Sequence, residues 1–551
     1  MKPPRRPASV PLSPLRRRLL GLPLAWGAAG AAGASLSASA ALPVTQAGVF
    51  APLAQPARFE LDIDTRARGT PVNRRVLGSN VQWVDGGDDM LGADDRLDPR
   101  MLDLVRALGP TVLRYPGGAQ SDAYHWARGV GPMAGRGEAE HVNARRQQRI
   151  RMGTREFLEL CEAVGAEPLI TLNLASGTAE EAAAWMRAID VERMVSRATG
   201  RPLPRVAFWE LGNEPYLTQE RPDLAVTPQE FARRANAFAR ALRAVEPQAS
   251  IGLPLTMDRR NGVPTTHVFG FTPQVLAGIT ERIDFVSVHD AYMPFGGKDA
   301  APADLYWGAM AATVTVQSDM DAMRRALRAW RPDAALPLAV TEYSALFSLV
   351  AGASDDWVAA PVAGLYAADA LRLFASRDDV LLADQWSLSG NWRFGAIASQ
   401  GFPRPAAVAL QWMGAALRGE RVAPAAMRAD TVDTPSVGLS APVAGLPLVA
   451  AFVTRERGEA GRITWRAALI QKDPRRGALG RVSLAGLPGP DRAGVRSARL
   501  QTWRCADVFD AADRRALWQH EETALAPGST FALNLPPASL ALLTVNLSTT
   551  G

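Results

Sequence analysis

Eight short apolar runs recur between residues 75 and 388, and their spacing limits the folds open to this chain. They are "RVLGSNVQW" (75–83), "TVLRYP" (111–116), "PLITLNL" (168–174), "VAFWELGNE" (206–214), "ASIGLPL" (249–255), "IDFVSVH" (283–289), "LPLAVTEY" (336–343) and "VLLADQWSL" (380–388). Runs of this length suit strands buried on both faces. Longer stretches with apolar residues at helical spacing lie between most of them. Examples are "TREFLELCEAVGA" (154–166), "PQEFARRANAFARALRAV" (228–245) and "SDMDAMRRALRAW" (318–330). Strand–helix alternation builds a parallel sheet, and eight such units close into a (β/α)8 TIM barrel.

The pattern changes at both ends. From about residue 405 helical periodicity fades, and strand-like runs such as "PLVAAFVTRE" (447–456), "ITWRAALIQK" (463–472), "SARLQTWRC" (497–505) and "SLALLTVNL" (539–547) take over. The expected fold is therefore α/β, a barrel over 71–404 with a C-terminal antiparallel β-sandwich over 405–551. "ARFELDID" (57–64) alternates apolar and polar residues, so 57–70 is read as an N-terminal strand that joins the sandwich, with 41–56 as a linker. Residues 1–40 carry Arg16, Arg17 and Arg18, then a weakly apolar run, then Ala38-Ser39-Ala40. That is the pattern of a cleavable, twin-arginine-like export signal, so the expected location is periplasmic or secreted. No later stretch is apolar for the roughly 20 residues of a membrane span.

Composition narrows the function classes. The chain has 551 residues and a net charge of +6. The positive charge is mostly arginine spread along the chain rather than gathered in one stretch, so nucleic acid is not an expected partner. Cys161 and Cys505 lie far apart, and the histidines show no metal-type spacing. Neither a disulfide framework nor a metal site is expected.

In such a barrel the active site lies at the C-terminal strand ends. Strand 2 carries Arg114 before "YPGG". Strand 4 ends in Asn213-Glu214, and strand 6 in His289 with Tyr292 just after. Strand 7 ends in Glu342, and strand 8 carries Trp386. Two carboxylates facing each other across a barrel mouth suit glycosidic-bond cleavage. One protonates the leaving oxygen, while the other attacks the anomeric carbon or activates water. This chemistry calls for no cofactor. Arg114 is expected to hold Glu342 ionised, Asn213 to bind a sugar hydroxyl, and Tyr292 or His289 to orient a glutamate. Trp386 would offer a sugar ring an apolar face, or else pack in the core. Glu210 is expected to point away from the mouth and pair structurally. The segments 119–151 and 290–317 are expected to shape the cleft, and Lys298 is read as a solvated loop residue.

Three segments carry a family resemblance: "LGPTVLRYPGGAQSDAYHWARGVGP" (108–132), "MGTREFLELCEAVGAEPLITLNLASGT" (152–178) and "FWELGNE" (208–214). The chain resembles clan A of the glycoside hydrolases, and within it family 51, the α-L-arabinofuranosidases. The resemblance implies Glu214 as acid/base, Glu342 as nucleophile and retention of configuration. Three features depart from the family. Ala119 stands where it usually has Asn, Gln82 where it usually has Glu, and "NEP" and "TEYS" look more like families 39 and 79.

The leading expectation is thus an exported retaining glycosidase, arabinofuranosidase-like, acting on a carbohydrate substrate. The alternatives are a β-glycosidase or glucuronidase-type clan A enzyme acting on an exopolysaccharide, a transglycosylase, or a non-catalytic glycan-binding protein on the same scaffold. The resemblance also suggests an oligomer.

Overall fold

The computed structural model describes residues 44–217, 226–256, 270–297, 299–348, 354–459, 461–486, 494–512 and 517–548. The export-signal expectation for 1–40 and the reading of Lys298 lie outside the described residues.

All eight expected strands form. They are β1 (Gly78–Asn80), β2 (Val112–Tyr115), β3 (Glu167–Thr171), β4 (Phe208–Glu210), β5 (Ile251–Pro254), β6 (Phe285–Ser287), β7 (Leu338–Leu346) and β8 (Val380–Gln385). Each pairs in parallel with its neighbour. β8 returns to β1 through Asp384↔Gly78, and this pairing closes the barrel. A helix follows every strand: α1 (Pro99–Leu108), α2 (Thr154–Val164), α3 (Ala179–Met186), α4 (Pro228–Val245), α5 (Phe271–Gly278), α6 (Pro302–Trp330), α7 (Pro361–Ala375) and α8 (Pro405–Ala416).

Local sequence explains these elements. In α4 the Thr227 hydroxyl accepts from the Glu230 amide and Pro228 occupies the first turn, where no amide hydrogen is needed. Phe231, Ala235, Phe238 and Leu242 then form one buried stripe. α6 starts well before the 318–330 stretch. Residues 302–317 are therefore helix, and the expectation that all of 290–317 shapes the cleft is corrected. α8 packs beside α7 and α1, so the barrel's last helix lies beyond the expected boundary at 404. Its Ala-rich, weakly amphipathic sequence hid it, because both of its sides are covered.

The barrel interior is layered. Val112, Leu169, Phe208, Phe285, Ala339 and Leu382 form a closed apolar plug at the bottom. Side chains on a strand alternate with period two, so the next inward positions are Arg114, Thr171, Glu210, Ser287, Thr341 and Asp384. All six are buried, and all are polar. A dry barrel floor therefore carries a polar storey directly beneath the mouth.

Beyond the barrel, a seven-stranded sheet includes Val449–Arg457, Arg462–Gln471, Ser539–Ser548, Val495–Cys505 and Trp518–Leu525, all antiparallel. A four-stranded sheet holds Ala426–Ala429, Ala57–Asp64, Ala478–Ala485 and Thr530–Leu535. The 57–64 strand thus joins the C-terminal sheets, and it runs parallel to 478–485, a departure from the purely antiparallel expectation. The segment expected to be a linker is anchored. Thr45 caps a short helix, and Phe50 meets Tyr306, Trp307 and Phe509. Among the described residues no helix is long and apolar enough to cross a membrane.

A buried ion pair joins the barrel to the sheets. Lys472 Nζ donates to Asp369 Oδ2 at 2.7 Å and to the Met310 carbonyl at 2.9 Å, with Lys472 and Asp369 both buried. Asp369 also accepts from Arg372 Nε at 2.5 Å and from Thr313 at 2.6 Å, so loss of Lys472 removes one of its two cations. Lys472→Met is expected to lower stability by about 2 kcal/mol, the worth of a hydrogen bond to a charged group, read as a fall in the urea midpoint. The double variant with Asp369→Leu should recover part of that loss. An unchanged midpoint in the single variant would show that the pair does not hold the two parts together.

Candidate active site

The polar storey is organised around Arg114, whose side chain is fully buried. Its Nε donates to Glu210 Oε2 at 2.7 Å. Nη1 donates to Asn80 Oδ1 at 2.9 Å and to Glu342 Oε1 at 2.7 Å, and Nη2 to Asn213 Oδ1 at 2.8 Å. The planar guanidinium fork thus fixes side chains from β1, β2, β4 and β7 in one plane. Two carboxylates keep Arg114 charged, each by its negative charge and its hydrogen bond, in spite of burial.

Glu342 is gripped at both oxygens. Arg114 holds Oε1, and the Tyr292 hydroxyl donates to Oε2 at 2.6 Å. Burial nevertheless pushes its pKa up, in spite of the Arg114 charge beside it. Glu214 stands opposite, the more open of the two glutamates at 18% side-chain exposure. It has a φ of 36°, a left-handed conformation that costs a non-glycine residue energy. His289 Nδ1 lies 3.0 Å from Glu214 Oε1, and its Nε2 lies 2.9 Å from Thr341 Oγ1. Burial lowers the His289 pKa, which favours the neutral ring.

One ligand atom from each of Glu214, His289 and Glu342 lies within 4.8 Å of the others, a spacing that also suits a divalent cation. The donor set does not fit one. Arg114 brings a fixed positive charge to Glu342 Oε1 at 2.7 Å, and Tyr292 occupies the other oxygen. The same spacing fits two carboxylates that act on one bond.

Six of the eight expected site residues meet at this mouth: Arg114, Asn213, Glu214, His289, Tyr292 and Glu342. Asn213 spends its carbonyl on Arg114, which leaves its NH2 for a ligand. Trp386 packs with Tyr292 and Leu346, under Trp392 and Phe394, so it is both core and rim. Its ring edge touches the "RYPGG" loop, where a Cβ at Gly118 would sit 2.5 Å from Trp386 Cη2 and 3.3 Å from Glu342 Oε1. Gly118→Ala is expected to displace the indole and lower kcat/KM by about 10-fold or more while the fold survives, with circular dichroism as the control. Unchanged kcat/KM would show that the Trp386 position does not matter to the site.

Gln82 lies to one side. Its amide donates to both Asp88 oxygens, at 3.2 and 3.0 Å. It lines a cavity of about 590 Å³ with Asp85, Asp88, Gln120, His141 and Trp392. Residues 119–151 supply Gln120 and His141 to that wall, in keeping with a cleft-shaping role. Burial pushes the Asp88 carboxyl well above the usual range.

Sequence reasoning missed Asn80, Thr171, Thr341 and the true place of Glu210. Glu210 does pair structurally. It lies inside the barrel below Glu342, where it accepts from Arg114, from Thr171 at 2.7 Å and from Thr341 at 2.8 Å. The available signal was polar residues two positions after the apolar plug on successive strands.

In sequence the chain is similar to α-L-arabinofuranosidases, and in fold to solved structures of family 51. Residues 104–279 match the family described as "Alpha-L-arabinofuranosidase 1 domain", a stretch that contains Arg114, Glu210, Asn213 and Glu214. Alpha-L-arabinofuranosidase C of Emericella nidulans is 34% identical over 160 residues, 27% of this chain and 31% of that protein. The intracellular exo-alpha-(1->5)-L-arabinofuranosidase of Streptomyces lividans is 28% identical over 268 residues, 44% of this chain and 38% of that protein. The chain therefore spans about a third of the length of the curated relatives it matches. The α-L-arabinofuranosidase structure from Thermotoga maritima shares the fold, with a TM-score of 0.73 at 20% identity over 89% of this chain and 100% of that one. The family 51 α-L-arabinofuranosidase structure from Bifidobacterium longum gives 0.71 at 19% identity, over 90% of this chain and 100% of that one.

Proposed function

We propose that the protein is a retaining glycoside hydrolase, arabinofuranosidase-like, that works by double displacement. The observation that carries this reading is the pair of carboxylates, Glu214 and Glu342, with oxygens within 4.8 Å of each other. Retaining enzymes hold their two carboxyl groups about 5–5.5 Å apart, whereas inverting enzymes leave room for a water between them. Glu342 attacks the anomeric carbon as the glycosidic C–O bond breaks, and Glu214 gives its proton to the leaving oxygen. Glu214 then takes a proton from water, which displaces Glu342 from the sugar. Tyr292 and Arg114 hold Glu342 in line and absorb its charge before attack.

Ala119 and Gln82 depart from the residues that the resemblance puts at the sugar, so the reading carries the reaction type further than the sugar. The non-catalytic reading would leave the doubly held Glu342 without a use. Export to the periplasm or medium rests on the 1–40 sequence pattern.

A panel of aryl arabinofuranosides, xylosides, glucosides and glucuronides tests the reading, with Glu214→Ala and Glu342→Ala as controls. Turnover of a glycoside that both variants lose supports it. Glycan binding without turnover, undiminished in both variants, overturns it. The pH profile should be bell-shaped. Glu342 must be ionised, and its pKa is raised, so activity should be lost as pH falls through a value above the ordinary carboxylate range. An acid limb below pH 4.5, the unperturbed glutamate value, would contradict that placement of the nucleophile.

A further inference from the structure

The hydrogen bonds behind the acid/base glutamate run in one line across three strands. Glu210 accepts from Arg114 Nε and Thr171 through Oε2 and from Thr341 through Oε1. A carboxylate so placed has only lone pairs to offer, so the single hydroxyl proton of Thr341 points at Glu210. Toward His289 Nε2, at 2.9 Å, Thr341 Oγ1 can then only accept. His289 must therefore carry its proton on Nε2. In a neutral ring, Nδ1 is left as a bare lone pair, 3.0 Å from Glu214 Oε1. Two acceptors at that distance repel each other unless Glu214 supplies the proton.

We propose that Thr341 is a positioning residue that fixes the tautomer of His289, so that His289 Nδ1 accepts the proton of Glu214 and keeps that carboxyl in its acid form between turnovers. The proposal rests on the reading of Glu214 as the acid/base. When Glu214 gives its proton to the leaving oxygen, the new carboxylate faces an imidazole nitrogen that offers it no hydrogen. It is thereby a stronger base toward the incoming water, and taking a proton from that water restores the O–H···Nδ1 bond. The charges around His289 are Arg114 from β2, Glu210 from β4 and Glu214 just beyond it, Asp290 after β6, and Glu342 from β7. Burial in this ring lowers the His289 pKa, in keeping with a neutral imidazole.

The first test does not depend on turnover. Nitrogen-15 NMR of histidine-labelled protein separates protonated from bare ring nitrogens, and His289→Gln assigns the signal among the five histidines. The expected result at neutral pH is a protonated Nε2 and a bare Nδ1 for His289. A protonated Nδ1, or a doubly protonated ring, overturns the proposal. The second test compares Thr341→Val with Thr341→Ser. The valine should lower kcat by about 10-fold on glycosides with poor leaving groups, leave KM and dinitrophenyl glycosides nearly unchanged, and move the alkaline limb to lower pH. Serine should restore all three. Equal losses for good and poor leaving groups, or no rescue by serine, would overturn the proposal. If the protein cleaves no glycoside at all, the functional reading fails, and the NMR result still decides the tautomer.

Discussion

Glu342→Ala is expected to lower kcat by about 10⁴-fold or more on every substrate the protein cleaves. Glu342 sits at the end of β7, 2.7 Å from a guanidinium and 2.6 Å from a tyrosine hydroxyl, with 5% of its side chain exposed. No other carboxylate at the described mouth is held at both oxygens in this way. KM should change little, because Glu342 makes its bond in the transition state rather than on binding. Added azide, a small external nucleophile, should restore part of the rate and give a glycosyl azide of inverted configuration. Turnover within 10-fold of wild type would exclude Glu342 as nucleophile.

Arg114→Met is expected to be costly in two ways. It removes the cation from a fully buried pair and leaves Glu210 charged in the barrel interior. Loss of one partner of such a pair costs about 3–5 kcal/mol. The Glu210 pKa is held below the ordinary value despite burial, with Arg114 the largest cause pulling it down. That part of the stability is present above the unfolded glutamate pKa and is lost as pH falls through the lower folded value. The variant should therefore unfold at lower urea near neutral pH, with the difference from wild type shrinking in acid. Separately, Asn213 and Glu342 lose their common anchor, so kcat should fall even where the variant stays folded. Arg114→Met with Glu210→Leu should regain part of the stability but not activity, since the second change removes the deeper of the two carboxylates that lose their cation and not the loss of aim. Recovery of both would show that Arg114 only supports the fold.

How much of this was legible in the sequence depended on the kind of signal. The barrel strands were, because each is a short apolar run set between helices. Glu214 and Glu342 were, because carboxylates at matching strand ends have few structural uses. α8 was not, because an Ala-rich helix buried on two sides carries little amphipathic pattern. The polar storey was not, because Thr171, Ser287 and Thr341 look like ordinary β-branched or small strand residues until the strands are wrapped around one axis. Glu210 was read correctly as a paired residue but misplaced. Its inward direction follows from lying two residues after Phe208, which forms part of the plug. Gln82 was expected at the sugar, and in the folded chain it lies beside Asp88 on the neighbouring cavity wall, a pairing that spacing alone does not reveal.

Double displacement requires a covalent intermediate on Glu342 with Glu214 opposite. The most direct measurement is proton NMR of the first-formed sugar, taken within seconds of mixing with the best aryl glycoside of the panel. The account predicts a product with the anomeric configuration of the substrate, followed by slow mutarotation. An inverted first product would contradict it, because inversion needs a water between the carboxylates where this structure has Glu214 and Glu342 within 4.8 Å of each other.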